Sequence, residues 1–312
     1  MRLYALYGPT AAGKTAMAVQ LRQRGLPVVA LSCDALQVYR GLDAATAKPT
    51  AAERAAIPYH LLDLIGPEQP MTAGQWVAAA ESAAAAALAA GQWPLLVGGT
   101  GLYLRALGQG LAAIPAVPAE VRAMLALQWQ QDGGPEQLYA ELQRVDPDYA
   151  AKTPPQNRQR VLRALEVWRH TGRAFSDYHR EHAAAPPRHQ VRLCALLPLA
   201  ADHAAQVANR ASAMAEPLWH EVAALRAAGL PTAAPGLQAL GYRDAVALQE
   251  ASVPPQVGVT KLAEQLLQAH RAYIKRQLTW LGREDVHLRL DPTAPGALDL
   301  LAADVAGWFA AR

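Results

Sequence analysis

The chain predicts an α/β fold, a phosphate-loop core with a parallel sheet flanked by helices, plus an inserted all-helical domain. Three observations predict it. Residues 8–15 read Gly8-Pro9-Thr10-Ala11-Ala12-Gly13-Lys14-Thr15, a complete G-x-x-x-x-G-K-[ST] phosphate loop. Short apolar runs bounded by turn residues recur at Leu3 to Tyr7, Pro27 to Leu31, Tyr59 to Ile65, Pro94 to Val97 and Val191 to Leu197, mostly separated by helical patterns, as in a doubly wound sheet. Between the fourth and fifth runs lies a long interval with no strand signal.

Taken in order, the first run enters the phosphate loop, and Met17, Val19 and Leu21 with interleaved alanines form the first turns of a helix leaving it. That is the strand-loop-helix a phosphate cradle needs. Gly8 and Gly13 let the backbone wrap around phosphate oxygens, the helix N-terminus supplies N–H groups, Lys14 a cation and Thr15 a hydroxyl for Mg²⁺. The motif therefore predicts a di- or triphosphate ligand. The strand-free interval opens at Ile114-Pro115-Ala116-Val117-Pro118 and closes at Ala185-Pro186-Pro187. Inside it, helical patterns run over 119–131, 136–145, 156–170 and 176–182, with Gly133-Gly134-Pro135 and Thr171-Gly172 as stops. This predicts an inserted helical domain over 112–190, with the core in 1–111 and 191–312. After the fifth run come helices over 201–228 and 257–281, a late strand over 286–290 and an alanine-rich terminal helix.

Composition narrows the class. The hydrophobic fraction of 52% is inflated by alanine, and the most apolar stretch, 73–90, is broken by Gln75, Glu81 and Ser82. No membrane span or signal peptide is expected, and a cytoplasmic protein is. Two cysteines, Cys33 and Cys194, exclude a disulfide framework and a cysteine zinc site. A net charge of +3 is small, but from Arg144 to Arg192 ten basic residues, nine of them arginine, face five acidic ones. Arginine forks match phosphates and stack on bases, which suggests a polynucleotide; a solvated helix face explains the same charges equally well.

Two strand ends carry the chemistry. The fourth ends in Gly98-Gly99-Thr100-Gly101, where an ATPase would more often place a magnesium-holding aspartate, so a hydrolysis-driven motor is disfavoured. The second ends in Asp34, in the crevice where α/β sheets bind ligands. Asp34 is a candidate general base, with an outer-sphere magnesium ligand and a helix cap as the other readings.

These residues and several blocks beyond them resemble the tRNA dimethylallyltransferases, also called tRNA isopentenyltransferases. The matching blocks are the phosphate loop; Asp34 with Gln37-Val38-Tyr39-Arg40-Gly41, Asp43 and Thr46-Ala47-Lys48-Pro49; Gly98 to Tyr103; Gln159-Arg160-Val161 with Arg163 to Val167; Gly241-Tyr242-Arg243; and Arg271, Tyr273, Lys275-Arg276-Gln277 and Thr279-Trp280. The resemblance spans almost the whole chain. It implies transfer of a dimethylallyl group from its diphosphate to N6 of the adenosine 3′ of the anticodon, with Mg²⁺ as cofactor and the tRNA anticodon stem-loop as partner of a monomer. By the same resemblance Lys14, Thr15 and Arg210 stabilise the leaving diphosphate, Asp34 takes the amino proton and Thr100 positions substrate. Gln37, with Ala35 and Leu36 beside it, is expected to read the adenine. Arg122, Gln159, Arg160, Arg163, Gly241, Arg243, Lys275 and Arg276 are expected to contact tRNA. A prenyltransferase on free adenine nucleotides and a phosphate-loop kinase are the rival readings. Departures from the family pattern are Ala35 for serine, Tyr59 before His60 for a histidine pair, Gln156-Asn157 for Asn-Asp, Gln206 for arginine and His270 for threonine. None falls on Lys14, Thr15, Asp34 or Thr100. His60 and His270 are expected to be structural, each satisfying a local hydrogen bond.

Overall fold

The computed structural model describes residues 1–311. The chain forms two compact units, one of Met1–Gln109 with the chain from Arg188 on, the other of Gly110–Pro187. The sequence placed these boundaries at 112 and 190.

The first unit begins β1 (Arg2–Tyr7), α1 (Lys14–Gln23), β2 (Val28–Cys33), α2 (Ala51–Ala56), β3 (Tyr59–His60), α3 (Ala73–Ala89), β4 (Trp93–Gly98) and α4 (Gly101–Gln109). The second unit contributes α5 (Ala119–Gln130), α6 (Gly134–Val145), α7 (Pro147–Ala150), α8 (Arg158–Thr171) and α9 (Phe175–Ala184). The first unit then resumes with β5 (Gln190–Leu196), α10 (Ala200–Ala227), α11 (Tyr242–Glu250), α12 (Pro255–Leu281), β6 (Leu288–Leu290) and α13 (Ala297–Ala310). The six strands make one parallel sheet in the order β3-β2-β4-β1-β5-β6.

The near-continuous apolar strands follow from burial on both faces. Along β1 side chains alternate between two cores. Leu3, Ala5 and Tyr7 join Trp76 of α3, Leu107 of α4 and Leu218 of α10, while Tyr4 and Leu6 join Met17 and Leu21 of α1 and Leu301 of α13. The sheet is thus sandwiched by α1 and α13 on one side and by α3, α4, α10 and α12 on the other. The second unit has its own core, built on Leu125, Leu138, Leu142, Val161 and Leu165. Among the described residues no helix is long and apolar enough to cross a membrane.

The run over 59–65 is a correction: only Tyr59 and His60 form a strand. Leu61 and Asp63 take left-handed φ values of 67° and 57°, which breaks the extended chain, and Ile65 returns only as a single bridge to Tyr39. The helices α2, α7 and α11 lie where the sequence showed no element. They span six, four and nine residues, too short for a clear apolar period, although α2 carries a complete Thr50/Glu53 capping box.

Candidate functional site

The phosphate loop sits between β1 and α1. Ala11 is held at φ 63° and Gly13 at φ 73°, so the chain curls into a concave turn before the helix starts. Gly13 caps α1 without any side-chain bond, so the first-turn N–H groups of Lys14, Thr15 and Ala16 stay open to a ligand. Lys14 Nζ donates to the Gly8 and Pro9 carbonyls at 2.9 and 2.7 Å. Burial pulls its pKa down to about 8, against Asp34, which raises it, with Arg210 lowering it further. This lysine spans the loop it belongs to and lines a polar chamber of about 440 Å³ with Thr15, Asp34 and Arg210.

The ends of β2 and β4 meet beside the loop. Asp34 Oδ1 accepts from the Leu36 N–H at 2.9 Å, so the capping reading is realised in part. Burial raises the Asp34 pKa, opposed by the Leu36 amide and by Lys14. Its carboxylate also lines a second, apolar chamber of about 410 Å³ with Ala35, Leu36, Leu102, Met214 and Trp280. Thr100 Oγ1 accepts from the Ala35 N–H at 3.0 Å and lies in hydrogen-bond reach of the Tyr273 phenol, which donates to the Gly99 carbonyl at 3.2 Å. A Cβ at Gly99 would run into Gln277 Nε2, so any other residue there would displace that amide.

α10 and α12 supply the other wall. Arg210 Nη1 donates to Thr10 Oγ1 at 3.3 Å, and His203, two helical turns earlier, pairs its Nε2 with the Thr10 carbonyl at 2.7 Å. Gln277, buried in α12, bridges two loops: its Oε1 accepts from the Thr10 N–H and its Nε2 donates to the Gly99 carbonyl, each at 3.1 Å. Asp34, Thr10, Gly99, Met214, Tyr273 and Gln277 border both chambers, so the two lie side by side with a shared wall.

The structure brings together Lys14, Thr15, Asp34, Thr100 and Arg210, as well as Ala35 and Leu36. Three expectations need correction. Gln37 lines the polar chamber but is no free reader: its Nε2 is spent on the Thr46 and Ala47 carbonyls at 3.2 and 3.0 Å, and its Oε1 accepts from Ser32. It anchors the 46–47 turn, as Lys48 does by pairing with Asp43 and Asp63. Gly241 is buried at φ 83°, and a Cβ would meet Leu266 at 2.6 Å, so helix packing dictates this glycine and removes it from a tRNA surface. The enclosed Nδ1 of His270 finds no partner among the described residues. Tyr59, a departure from the family pattern, lines the polar chamber with Thr15 and lies in hydrogen-bond reach of it, beside the phosphate loop.

Among the remaining candidates Arg243, Lys275 and Arg276 are exposed, and Arg276 lies over the Tyr273 ring while lining the apolar chamber. In the second unit Arg122, Gln159 and Arg160 are exposed, the last two in the first turn of α8, which Asn157 caps. Arg163 is paired with Glu166, and Arg169 is locked on Glu141 and Gln128. Arg173, Arg180, Arg188 and Arg192 are paired as well, so much of the arginine excess is already matched by acidic side chains. Arg144, Lys152, Arg158 and Arg160 have no acidic partner among the described residues. His203, Tyr273 and Gln277 were given no site role by sequence; only a helical spacing of seven between 203 and 210, and of four between 273 and 277, could have flagged them.

Comparison with known proteins identifies the family. The IPP transferase family model matches residues 37–284, and the isopentenyl transferase model matches 1–63. A tRNA dimethylallyltransferase of Methylibium petroleiphilum is 46% identical over 88% of this chain and 85% of its own length. One from Paracidovorax citrulli is 44% identical over 89% of this chain and 82% of its own. Among solved structures, the tRNA isopentenylpyrophosphate transferase of Bacillus halodurans superposes with a TM-score of 0.70 at 28% identity, covering 98% of this chain and 96% of that one. With a family model spanning most of its length and relatives above two-fifths identity, this chain belongs to the IPP transferase family, alongside the tRNA dimethylallyltransferases.

Proposed function

We propose that this protein is a tRNA dimethylallyltransferase, moving a dimethylallyl group from dimethylallyl diphosphate to N6 of the adenosine 3′ of the anticodon. The observation that carries the reading is the pair of adjoining chambers: a phosphate cradle and an apolar chamber share a wall, with one carboxylate, Asp34, bordering both. A nucleotide kinase needs a second phosphate-bearing site there; an allylic chain and an unstacked base need apolar walls. The tRNA and diphosphate substrates come with this reading, supported by the family, and we extend it to action as a monomer in the cytoplasm.

The reaction forms a bond from adenine N6 to the allylic C1 and breaks the C1–O bond, so that diphosphate leaves with the electron pair. Charge grows on the diphosphate as that bond breaks. Lys14, the open amides at the start of α1 and Arg210 stand ready for it, and an arrangement fixed beforehand stabilises that charge without reorganising. The amino nitrogen must lose a proton, and Asp34 accepts it; burial makes this carboxylate a stronger base than a solvated one. Thr100 and Tyr273 hold the opposite rim through the Ala35 amide and the Gly99 carbonyl.

Mg²⁺ fits the residues present. The cation binds through few protein oxygens, substrate phosphates and water, and Thr15 offers its hydroxyl in the polar chamber. No cluster of three or more acidic, histidine or cysteine ligands occurs among the described residues, which suits a metal carried largely by the diphosphate. When bound, it neutralises charge on the leaving group.

The test is nucleoside mass spectrometry of tRNA after incubation with dimethylallyl diphosphate and Mg²⁺. The expected product is N6-dimethylallyl adenosine with one diphosphate released per transfer, and no ATP consumed. ATP turnover stimulated by tRNA without prenylation would refute the reading.

A further inference from the structure

His270 lies in α12 with only 4% of its surface exposed, and it lines the apolar chamber. Its Nδ1 is one of two buried side-chain polar atoms without a partner among the described residues; the other, on Thr153, belongs to the second unit. A buried imidazole that gives up water without gaining a protein partner is costly unless something else completes it. Burial and the charge of Arg210 both push its pKa down, which favours the neutral ring. A neutral imidazole carries a single proton, and the enclosed Nδ1, with no acceptor beside it, suits the bare lone pair. The proton then sits on Nε2.

The neighbourhood decides what that N–H can meet. Arg210 lines the polar chamber and reaches Thr10, and Thr10, Met214, Tyr273 and Gln277 border both chambers. His270 lines the apolar chamber one helical turn before Tyr273, which borders both chambers, and so stands near the junction with the phosphate cradle. A donor beside a guanidinium suits an anion better than the edge of a neutral base.

We propose that His270 is a substrate-binding residue whose Nε2–H hydrogen-bonds an oxygen of the prenyl diphosphate beside Arg210. It thereby helps to fix the leaving group at the end that joins the apolar chain. The proposal rests on the diphosphate reading of the phosphate loop.

The experiment measures binding of inorganic pyrophosphate with Mg²⁺ by calorimetry, in the full-length protein and in the variants His270→Leu and His270→Gln. Leucine fills the space without a donor, and the glutamine amide reproduces a donor near the Nε2 position. His270→Leu is expected to weaken pyrophosphate about tenfold or more, the scale of one hydrogen bond to a charged group. His270→Gln should stay within about threefold of the parent, with tRNA affinity the same in all three. In ¹⁵N-histidine NMR spectra, the His270 Nε2 proton should move downfield when pyrophosphate is added. Unchanged pyrophosphate affinity in His270→Leu, equal losses in both variants, or a loss confined to tRNA would each overturn the role of His270. A parent protein that binds no pyrophosphate would instead remove the diphosphate reading on which it rests.

Discussion

Removing Gln277 tests how the cleft is held open. Gln277→Met keeps the side-chain shape but deletes two hydrogen bonds, to the Thr10 N–H and the Gly99 carbonyl. The two losses are unequal. Thr10 is half-buried, so water can replace part of its bond, whereas Gly99 is buried but also accepts from Tyr273 Oη at 3.2 Å. The single variant therefore orphans one partly wet donor and should cost about 1–2 kcal/mol. Tyr273→Phe leaves the Gly99 carbonyl on Gln277 and should cost about 1 kcal/mol. Together they strip that carbonyl of both partners, and its full desolvation penalty appears only then. The double variant should exceed the sum of the singles by about 1 kcal/mol or more. Urea unfolding of the full chain, followed by tryptophan fluorescence, completes the cycle. Costs that add to within about 0.5 kcal/mol would show that the two side chains do not share the Gly99 carbonyl, and would refute the bridging argument.

The other predictions concern the chemistry and the tRNA surface. Asp34→Asn should lower single-turnover prenyl transfer roughly 10²- to 10⁴-fold, the usual size of a general base. In the parent enzyme the rate should rise with pH as Asp34 ionises and level off above the usual carboxylate range, because burial raises its pKa; the variant should lose that limb. A raised pKa in the folded state also means that ionised Asp34 costs stability once the pH exceeds the folded value, so Asp34→Asn should melt no lower than the parent at neutral pH, and a lower melting temperature would assign Asp34 to scaffolding. Lys14→Ala should cut turnover by roughly 10²-fold or more through lost charge stabilisation, and activity within a few-fold of the parent would exclude Lys14 from the leaving-group site. Arg160→Ala should flatten log K for tRNA against log salt by about one unit if it meets a phosphate. Arg163→Ala, starting from an arginine already paired with Glu166, should do less; the reverse order would contradict the assignment by ion pairing.

What was legible in the sequence depended on whether a residue's task is local. The phosphate loop is a contiguous motif whose glycines and lysine act where they stand, so cradle and first strand could be read together. The parallel sheet was equally legible, because burial on both faces writes unbroken apolar runs such as Leu3 to Tyr7. The strand expected over 59–65 failed because two non-glycine residues adopt left-handed backbone there, a cost visible only once surrounding structure imposes it. Roles that depend on two distant segments could not be read at all. Gln277 lies 267 residues from Thr10 and 178 from Gly99, and it ties the two loops from a helix that shows only an apolar period in sequence. Gln37 shows the opposite case: an amide is equally able to read a base or to brace a turn, and only the positions of the Thr46 and Ala47 carbonyls decide between them. The arginines divide in the same way. Arg169 is committed to Glu141, 28 residues away, while Arg160 has no acidic partner among the described residues, so one count of positive charge covered both a structural ion pair and a free contact surface. Composition registers charge before pairing, and pairing decides which charges remain for a polyanion.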